Sequence, residues 1–310
     1  VVSLTETHLK ELGRAMGEVA FRGTSLLELG VADFDLPTLG LLLAELRDEL
    51  EGGRGFLCLR GLPVHQWTEH EARIALWGLG THLGWAEPQD GAGNRLHDVR
   101  DIGRPFGSDD KIRYFQTNHA IEFHNDGADM FALFCLQAGA TGGMSRLLSA
   151  VELFNEIARR RPDLAVVLQE DFHVDARGQR ADGARCQVHP VYTFTSGYPS
   201  ILLKRAYIES AQRFDEVPRL TSAQVEALNL MAEVMEEPGM ALEFHLASGD
   251  VLMASNHTIL HGRTAYTDDG STGSRHMLRL WLTLPNGRPL PPHYADTREF
   301  VATYRRRMPA

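Results

Sequence analysis

The sequence predicts a mainly β chain of the α+β class, in which a sandwich or barrel of short strands is wrapped by helices. Apolar residues recur at spacings of three and four in the first part of the chain, which is typical of helices. The rest is dominated by short apolar segments with turn residues between them, which favours a sandwich or barrel over a parallel sheet. The 310 residues are predicted to form a single domain, 1–310.

Residues 1–85 are predicted to form a helical wrapping with the first strand. Helical spacing covers 5–19, 39–50 and 70–83, and the apolar run GFLCLRGLPV, bounded by Gly and Pro, predicts a strand. Residues 86–110 are polar and glycine-rich. Because so long a loop in a compact chain is usually functional or disordered, this stretch is a candidate lid.

Residues 110–290 are predicted to form the β core. Two helices are expected within it, at 150–160 and 221–236, and Thr221 followed by Gln224 has the pattern of a capping box. The predicted strands are the short apolar segments 112–115, 130–136, 147–149, 172–174, 188–194, 200–203, 241–245, 251–254 and 275–284.

Composition disfavours several classes of protein. The formal net charge is −10 and the basic residues do not cluster except at 305–307, which disfavours a nucleic-acid partner. No apolar stretch approaches the roughly 20 residues of a membrane span, and VVSLTETHLK does not resemble a signal peptide. Three scattered cysteines without a CxxC motif indicate structural thiols in a reducing compartment, so we expect the cytoplasm. A homo-oligomer stays open.

Candidate metal ligands occur in two segments. His124 and Asp126, in FHNDGADMF, are two residues apart, so on a strand both side chains point to the same side. His261 follows a turn in SGDVLMASNHTILHGRTAYTD. Two imidazoles and one carboxylate on one face of an ion leave three coordination positions open, an arrangement that suits Fe(II) and is characteristic of non-haem oxygenases.

The final predicted strand carries two arginines, Arg275 and Arg279, four residues apart on the face that also holds Met277 and Trp281. Both faces of this strand are too apolar for a solvated strand. Arginine is seldom buried without an anionic partner, and its planar guanidinium binds carboxylates through two hydrogen bonds. Two buried arginines near an iron therefore predict two carboxylates from ligands.

Together these motifs resemble the TauD/TfdA family of Fe(II)- and 2-oxoglutarate-dependent dioxygenases. FHND matches the H-x-D motif, GGMSRLLS the G-G-x-[TS] strand, NHTILHGRTAY the distal histidine and RHMLR the paired arginines. The similarity extends from about Gly55 to Pro291. It implies a double-stranded β-helix, or jelly roll, as the core.

The resemblance also implies roles for single residues. His124, Asp126 and His261 would bind iron, and Arg275 with Ser145 would hold the distal carboxylate of 2-oxoglutarate. Arg279 would meet the substrate's anion or the other end of 2-oxoglutarate. With Fe(II) as cofactor and 2-oxoglutarate and O₂ as co-substrates, the implied reaction is oxidation, by default hydroxylation, of an unactivated C–H bond. A small anionic substrate such as an amino acid or derivative is expected, with release of succinate and CO₂.

Two other residues compete as ligands. His257 is a rival of His261, because HTILH has the spacing of a zinc-binding helix, but Thr258 stands where that motif needs Glu. Asp129 is a rival of Asp126, but its position on a strand would place it on the opposite face.

Gln116, Asn118 and Arg263 are candidates for lining the pocket. Three other classes of protein stay open. A cupin-like metalloenzyme would not require Arg275, and a non-catalytic binding protein on the same fold would tolerate loss of any metal-ligating residue. A scaffold would need neither Arg275 nor the metal-ligating residues. The intact set of ligands and arginines favours the oxygenase.

Overall fold

The computed structural model describes residues 1–104, 112–180, 182–268 and 273–308. Its helices are α1 (Glu6–Arg22), α2 (Leu39–Gly52), α3 (Glu69–Leu83), α4 (Ala150–Arg160), α5 (Pro162–Val167), α6 (Arg205–Ala211), α7 (Ser222–Met235) and α8 (Val301–Arg307). Its strands are β1 (Val2–Ser3), β2 (Phe56–Arg60), β3 (Trp85–Ala86), β4 (Leu96–Val99), β5 (Ile121–His124), β6 (Met130–Gln137), β7 (Thr141–Gly142), β8 (Ser145–Ser149), β9 (Asp171–Asp175), β10 (Cys186–Pro190), β11 (Tyr192–Thr195), β12 (Tyr198–Ile201), β13 (Ala241–Phe244), β14 (Val251–Ser255), β15 (Ile259–Arg263), β16 (Tyr266–Thr267) and β17 (His276–Thr283).

Two sheets form the centre of the molecule. The larger has the order β1-β2-β14-β6-β17-β3, with β4 also paired to β17, and the smaller has the order β13-β8-β15-β5. Side chains alternate along β17, so that Leu278 and Leu280 pack against the N-terminal helices while Met277 and Trp281 face the smaller sheet. Arg279, on the Met277 face, therefore points between the sheets, and Arg275 directly precedes the strand.

Helices cover the outer face of each sheet. Apolar residues of α1, α2 and α3 form one core with the larger sheet, and those of α4, α5 and α7 form another with Leu148 and Leu260 of the smaller sheet. A third core lies between the sheets. Burial of these apolar faces, at about 25 cal/mol per Å², is the main stabilising contribution to the fold. The chain is mainly β with a helical wrapping, as the sequence predicted.

Most predicted elements lie close to the observed ones, and Thr221 and Gln224 form the expected reciprocal cap of α7. Three predictions were wrong in part. Residues 86–110 are not one loop, because β4 pairs with β17 there; 105–110 lie outside the described residues. Residues 112–115 are not a strand but lead into a 3₁₀ turn, Tyr114–Gln116, capped by the Gln116 side chain. Residues 188–194 belong to two strands, β10 and β11.

Among the helices of the described residues, none is both long enough and apolar enough to cross a membrane.

Candidate metal centre and co-substrate pocket

The two predicted histidine ligands meet through strand pairing. In the antiparallel pair β5–β15, His261 lies directly opposite His124, and the centroids of the two rings are 4.3 Å apart. The Phe131 ring packs 4.2 Å from the His261 ring, centroid to centroid. Two segments that are distant in sequence thus present adjacent imidazoles on the inner face of the smaller sheet.

Asp126 lies just after β5 and completes the group. Its Oδ1 is 3.9 Å from His124 Nε2, and its Oδ2 is 3.6 Å from His261 Nε2. One donor atom from each residue lies within 4.8 Å of the others. These separations are too long for hydrogen bonds and leave room for an ion bound at about 2 Å from each donor.

The protonation of these side chains also suits a metal. His124 Nδ1 lies 2.8 Å from the carbonyl oxygen of Glu122 and so donates to it, which leaves Nε2 available as a ligand. Burial lowers the pKa of His124 and His261, so both are neutral near pH 7. Burial alone would raise the pKa of Asp126, but Arg279 and the two histidines hold it well below its ordinary value. Two neutral imidazoles and a carboxylate fit Fe(II).

The turn that carries Asp126 is fixed by buried amides. Asn256 accepts a hydrogen bond from the Asp126 backbone N–H at 3.3 Å and donates to the Gly127 carbonyl at 2.7 Å. The Asn125 side chain points into the protein, where it donates to the Asn256 carbonyl at 2.7 Å. A Cβ at position 127 would lie 2.6 Å from the Trp281 ring, so only glycine fits. The candidate metal-binding carboxylate of Asp126 is therefore held on a rigid turn.

The two rival ligands, His257 and Asp129, bind each other instead. His257 Nε2 is 2.9 Å from Asp129 Oδ1, and both side chains are fully buried. The second oxygen of Asp129 accepts from the Leu284 N–H at 2.7 Å and from Arg307. His257 Nδ1 is 3.3 Å from the hydroxyl of Ser200. This network ties the C-terminal segment to the strands and lies apart from the three candidate ligands.

Asp129→Ala is expected to lower the free energy of unfolding by about 3–5 kcal/mol, because His257 and Arg307 lose a buried anion. Urea unfolding measures this, with Asp48→Ala as the control, since Asp48 is exposed and bonded only to Asn286 among the described residues. Fe(II) binding by the folded variant should be retained. If the variant had the parent's free energy of unfolding but no longer bound Fe(II), Asp129 would belong to the metal centre.

A cavity of about 790 Å³ lies beside the three candidate ligands and is also lined by Arg275 and Ser145. The Arg275 side chain is buried, and its Nη1 has no hydrogen-bond partner in the part of the chain that the structure describes. Nη2 is 3.2 Å from the Met277 sulfur, a weak acceptor. A buried guanidinium with an unused donor is suited to bind a carboxylate, which makes Arg275 a candidate for that role.

Arg279 also lines the cavity, but it is already hydrogen-bonded to Asp126. Its Nη1 is 3.0 and 3.2 Å from the two Asp126 oxygens, and its Nε donates to Gln89 Oε1 at 2.8 Å. Arg279 thus orients the candidate iron ligand and keeps it ionised. The predicted contact of Arg279 with a substrate or 2-oxoglutarate carboxylate stays a prediction.

The three candidate lining residues differ in position. Gln116 and Arg263 line the cavity, and the Gln116 side chain also accepts from the Arg113 backbone N–H at 3.0 Å. Asn118 is absent from the described residues that line it, and its carbonyl accepts from the Tyr266 N–H at 3.1 Å.

Among the basic cavity residues that the sequence did not reveal, Lys204 and Arg298 lie around one carboxylate. Lys204 Nζ is 2.6 Å from Glu299 Oε1, and Arg298 Nε is 4.0 Å from the same oxygen. Burial would raise the pKa of Glu299, but Lys204 and Arg298 hold it well below its ordinary value. Two cations therefore share one carboxylate. Neither residue belongs to a motif, and each reaches the cavity only through the tertiary fold.

Known proteins resemble this chain over most of its length. The sequence profile of the family described as "Taurine catabolism dioxygenase TauD, TfdA family" matches residues 20–281. FR-33289 synthase of Streptomyces rubellomurinus is 31% identical, over 93% of this chain and 86% of its own. A taurine hydroxylase-like protein, SAT17, of Stachybotrys chartarum is 28% identical, over 90% of this chain and 74% of its own. A uridine-5'-phosphate dioxygenase of a Streptomyces species is 26% identical, over 55% and 64%.

Solved structures share the fold at lower identity. An asparagine oxygenase in complex with Fe(II), 3-hydroxyasparagine and succinate superposes with a TM-score of 0.69 at 18% identity, over 91% of this chain and 93% of that chain. The non-haem iron oxygenase OrfP with Fe and α-ketoglutaric acid gives 0.64 at 18% identity, over 91% and 93%. The predicted jelly-roll core with helical wrapping is thereby confirmed.

Proposed function

The chain belongs to the TauD/TfdA family of non-haem iron dioxygenases, which use Fe(II), 2-oxoglutarate and O₂, and from this premise we propose that it hydroxylates a small anionic substrate. The bond attacked is an unactivated C–H bond of an amino acid or derivative, and succinate and CO₂ are released. The observation that carries the proposal is that His124, Asp126 and His261 share one cavity with the partly unpaired guanidinium of Arg275.

In this proposal each residue has a distinct task. When bound, iron with its co-substrates supplies the oxidising power for cleavage of the C–H bond. His124, Asp126 and His261 would hold the ion, while Arg275 and Ser145 would hold the distal carboxylate of 2-oxoglutarate. The protein contributes orientation and charge neutralisation, which are large terms in a cavity shielded from water. A metalloenzyme that did not use 2-oxoglutarate would leave Arg275 without a role.

The anionic substrate is supported by Lys204 and Arg298, which line the cavity and share the single carboxylate of Glu299. Known relatives support an acidic group on the substrate rather than a net negative charge, because hydroxyasparagine is a zwitterion and hydroxyarginine is cationic overall at neutral pH. The asparagine oxygenase structure contains a hydroxylated amino acid, an OrfP structure contains hydroxyarginine, and the uridine-5'-phosphate dioxygenases are named for a phosphorylated molecule. Each of these molecules carries an anionic group.

Substrate-stimulated succinate formation tests the proposed function. The Fe(II)-loaded protein is given 2-oxoglutarate, O₂ and a panel of L-amino acids and N-acyl amino acids, each paired with its C-terminal amide. Stimulation by an acid but not by its amide, with a product that gains one oxygen atom, is the expected result. Equal stimulation by acid and amide would contradict the anionic substrate, and no 2-oxoglutarate turnover would contradict the oxygenase.

Lys204→Gln is expected to raise the KM for the stimulating acid by about tenfold, because one charge-assisted hydrogen bond is lost. Glutamine keeps a hydrogen-bond donor for Glu299, so folding should be preserved. The affinity for 2-oxoglutarate, measured in the same variant, should not change. An unchanged KM would remove Lys204 from the substrate site.

The three cysteines of the described chain are unpaired. Burial raises the pKa of Cys58 to about 11 and that of Cys135 to about 12, so these thiols stay protonated and unreactive at neutral pH. Free, buried thiols support our proposal that the protein works in a reducing compartment such as the cytoplasm.

A further inference from the structure

Arg263 is a third buried guanidinium in the cavity, beside those of Arg275 and Arg279. Its side chain and that of Arg275 are 5% and 2% exposed. Nη2 of Arg263 donates to the carbonyls of Thr117 and His119 at 2.9 and 2.5 Å. Its Nε and Nη1 have no hydrogen-bond partner among the residues that the structure describes. Two buried nitrogens of Arg263, which carry three N–H groups, therefore lack an acceptor in the described chain.

Strand register places Arg263 beside the candidate co-substrate residues. Arg263 follows His261 by two residues on β15, so both side chains point to the same face. Across the β15–β8 pair, Arg263 lies directly opposite Ser145, and such neighbours are about 5 Å apart. The guanidinium carbons of Arg263 and Arg275 lie 4.7 and 5.1 Å from the centre of the Tyr266 ring. Arg263 and Arg275 thus lie beside one tyrosine ring in the wall of the cavity that Ser145 also lines.

Asp101 and Asp268 act electrostatically on Arg263 and Arg275, but neither aspartate forms a salt bridge with them in the described chain. Arg263 and Arg275 both remain protonated at neutral pH. Within the described chain, neither guanidinium is paired with a carboxylate, and Asp268 accepts the backbone N–H of Arg275 rather than its side chain. Two buried like charges are unfavourable unless an anion binds between them. A single carboxylate has enough lone pairs to accept hydrogen bonds from both arginines.

We propose that Arg263 and Arg275 together bind the distal carboxylate of 2-oxoglutarate, with Ser145 beside them. The inference rests on the proposed function, in which Arg275 binds that carboxylate. It makes Arg263 a determinant of co-substrate specificity, because a 2-oxo acid without a second carboxylate would leave two buried arginines without an anion.

Anaerobic titration of the Fe(II)-loaded protein tests the proposal, with the visible charge-transfer band of the 2-oxo acid chelate as the readout. The two probes are 2-oxoglutarate and 2-oxobutyrate, which chelates in the same way but lacks the distal carboxylate. Arg263→Gln is expected to weaken 2-oxoglutarate binding by about 10- to 100-fold and to leave 2-oxobutyrate binding nearly unchanged. Arg60→Gln, at a half-exposed arginine paired with Asp250, is the control and should leave the affinities for both acids unchanged.

The comparison of the two acids separates binding from folding. An Arg263→Gln variant that lost affinity for both acids to the same degree would overturn the proposal. A variant that kept the parent's affinity for both acids would overturn it as well. Arg263→Lys keeps the charge and donors for Thr117 and His119, so its affinity for 2-oxoglutarate should fall by an intermediate amount and its affinity for 2-oxobutyrate should not change. If Arg263→Gln does not fold, this variant tests the proposal in its place. A parent protein that gave no band with either acid would instead overturn the proposed function, and this inference with it.

Discussion

Asp126→Ala is expected to abolish turnover and to weaken Fe(II) binding by more than about 100-fold. Residues that only hydrogen-bond to a metal ligand already contribute about 10- to 100-fold, so loss of the only carboxylate of the three candidate ligands should cost more. Succinate formation and equilibrium Fe(II) binding under anaerobic conditions measure the two effects. Normal succinate formation by this variant would show that Asp126 does not bind the metal.

Folding must be controlled in this experiment, because Asp126 is also the buried partner of Arg279. Its removal leaves that charge unpaired, at a cost of about 3–5 kcal/mol. Asp126→Asn keeps the shape and one oxygen for Arg279, so it should fold more nearly like the parent and still lose most of its iron affinity. Asp48→Ala, at an exposed aspartate, should behave as the parent protein in both assays.

Arg275→Gln is expected to raise the 2-oxoglutarate concentration for half-maximal activity by about 10- to 100-fold, since charge-assisted hydrogen bonds to a buried carboxylate are lost. Fe(II) affinity should not change, because the Arg275 guanidinium contacts Met277 and the Tyr266 ring rather than the three candidate ligands. Initial rates at varied 2-oxoglutarate, with a separate Fe(II) titration, measure both quantities.

A second prediction for Arg275→Gln concerns its free energy of unfolding. Without ligands, Arg275 is a buried charge with an unused donor, so Arg275→Gln should leave the free energy of unfolding unchanged or raise it. Addition of 2-oxoglutarate should stabilise the parent protein more than the variant. An unchanged 2-oxoglutarate requirement would show that another residue binds the distal carboxylate.

The candidate ligands could be found in the sequence because each is marked by a local pattern. His124 and Asp126 are spaced for one face of a strand, and His261 lies in a motif that resembles the family's distal histidine. Alternation along an apolar strand predicted that Arg275 and Arg279 share one face and point into a partly buried space. Periodicity likewise predicted the long helices, because packing of one apolar stripe determines them.

What the sequence did not reveal depends on contacts between distant segments. The Arg279–Asp126 pair joins residues 153 positions apart, and Lys204 and Arg298 have no local pattern that separates them from surface cations. The short helices α5, α6 and α8 have only six or seven residues each, too few for a clear period. Strand β4 carries polar residues and is a strand because it pairs with β17.

The metal centre and the co-substrate pocket are tested most directly by an anaerobic titration in two steps, Fe(II) into the metal-free protein and then 2-oxoglutarate into the iron complex. We expect one bound Fe(II), followed by a visible charge-transfer band that grows and saturates with 2-oxoglutarate. Iron binding without the band would contradict the assignment of the co-substrate pocket, and failure to bind iron would contradict the metal centre formed by His124, Asp126 and His261.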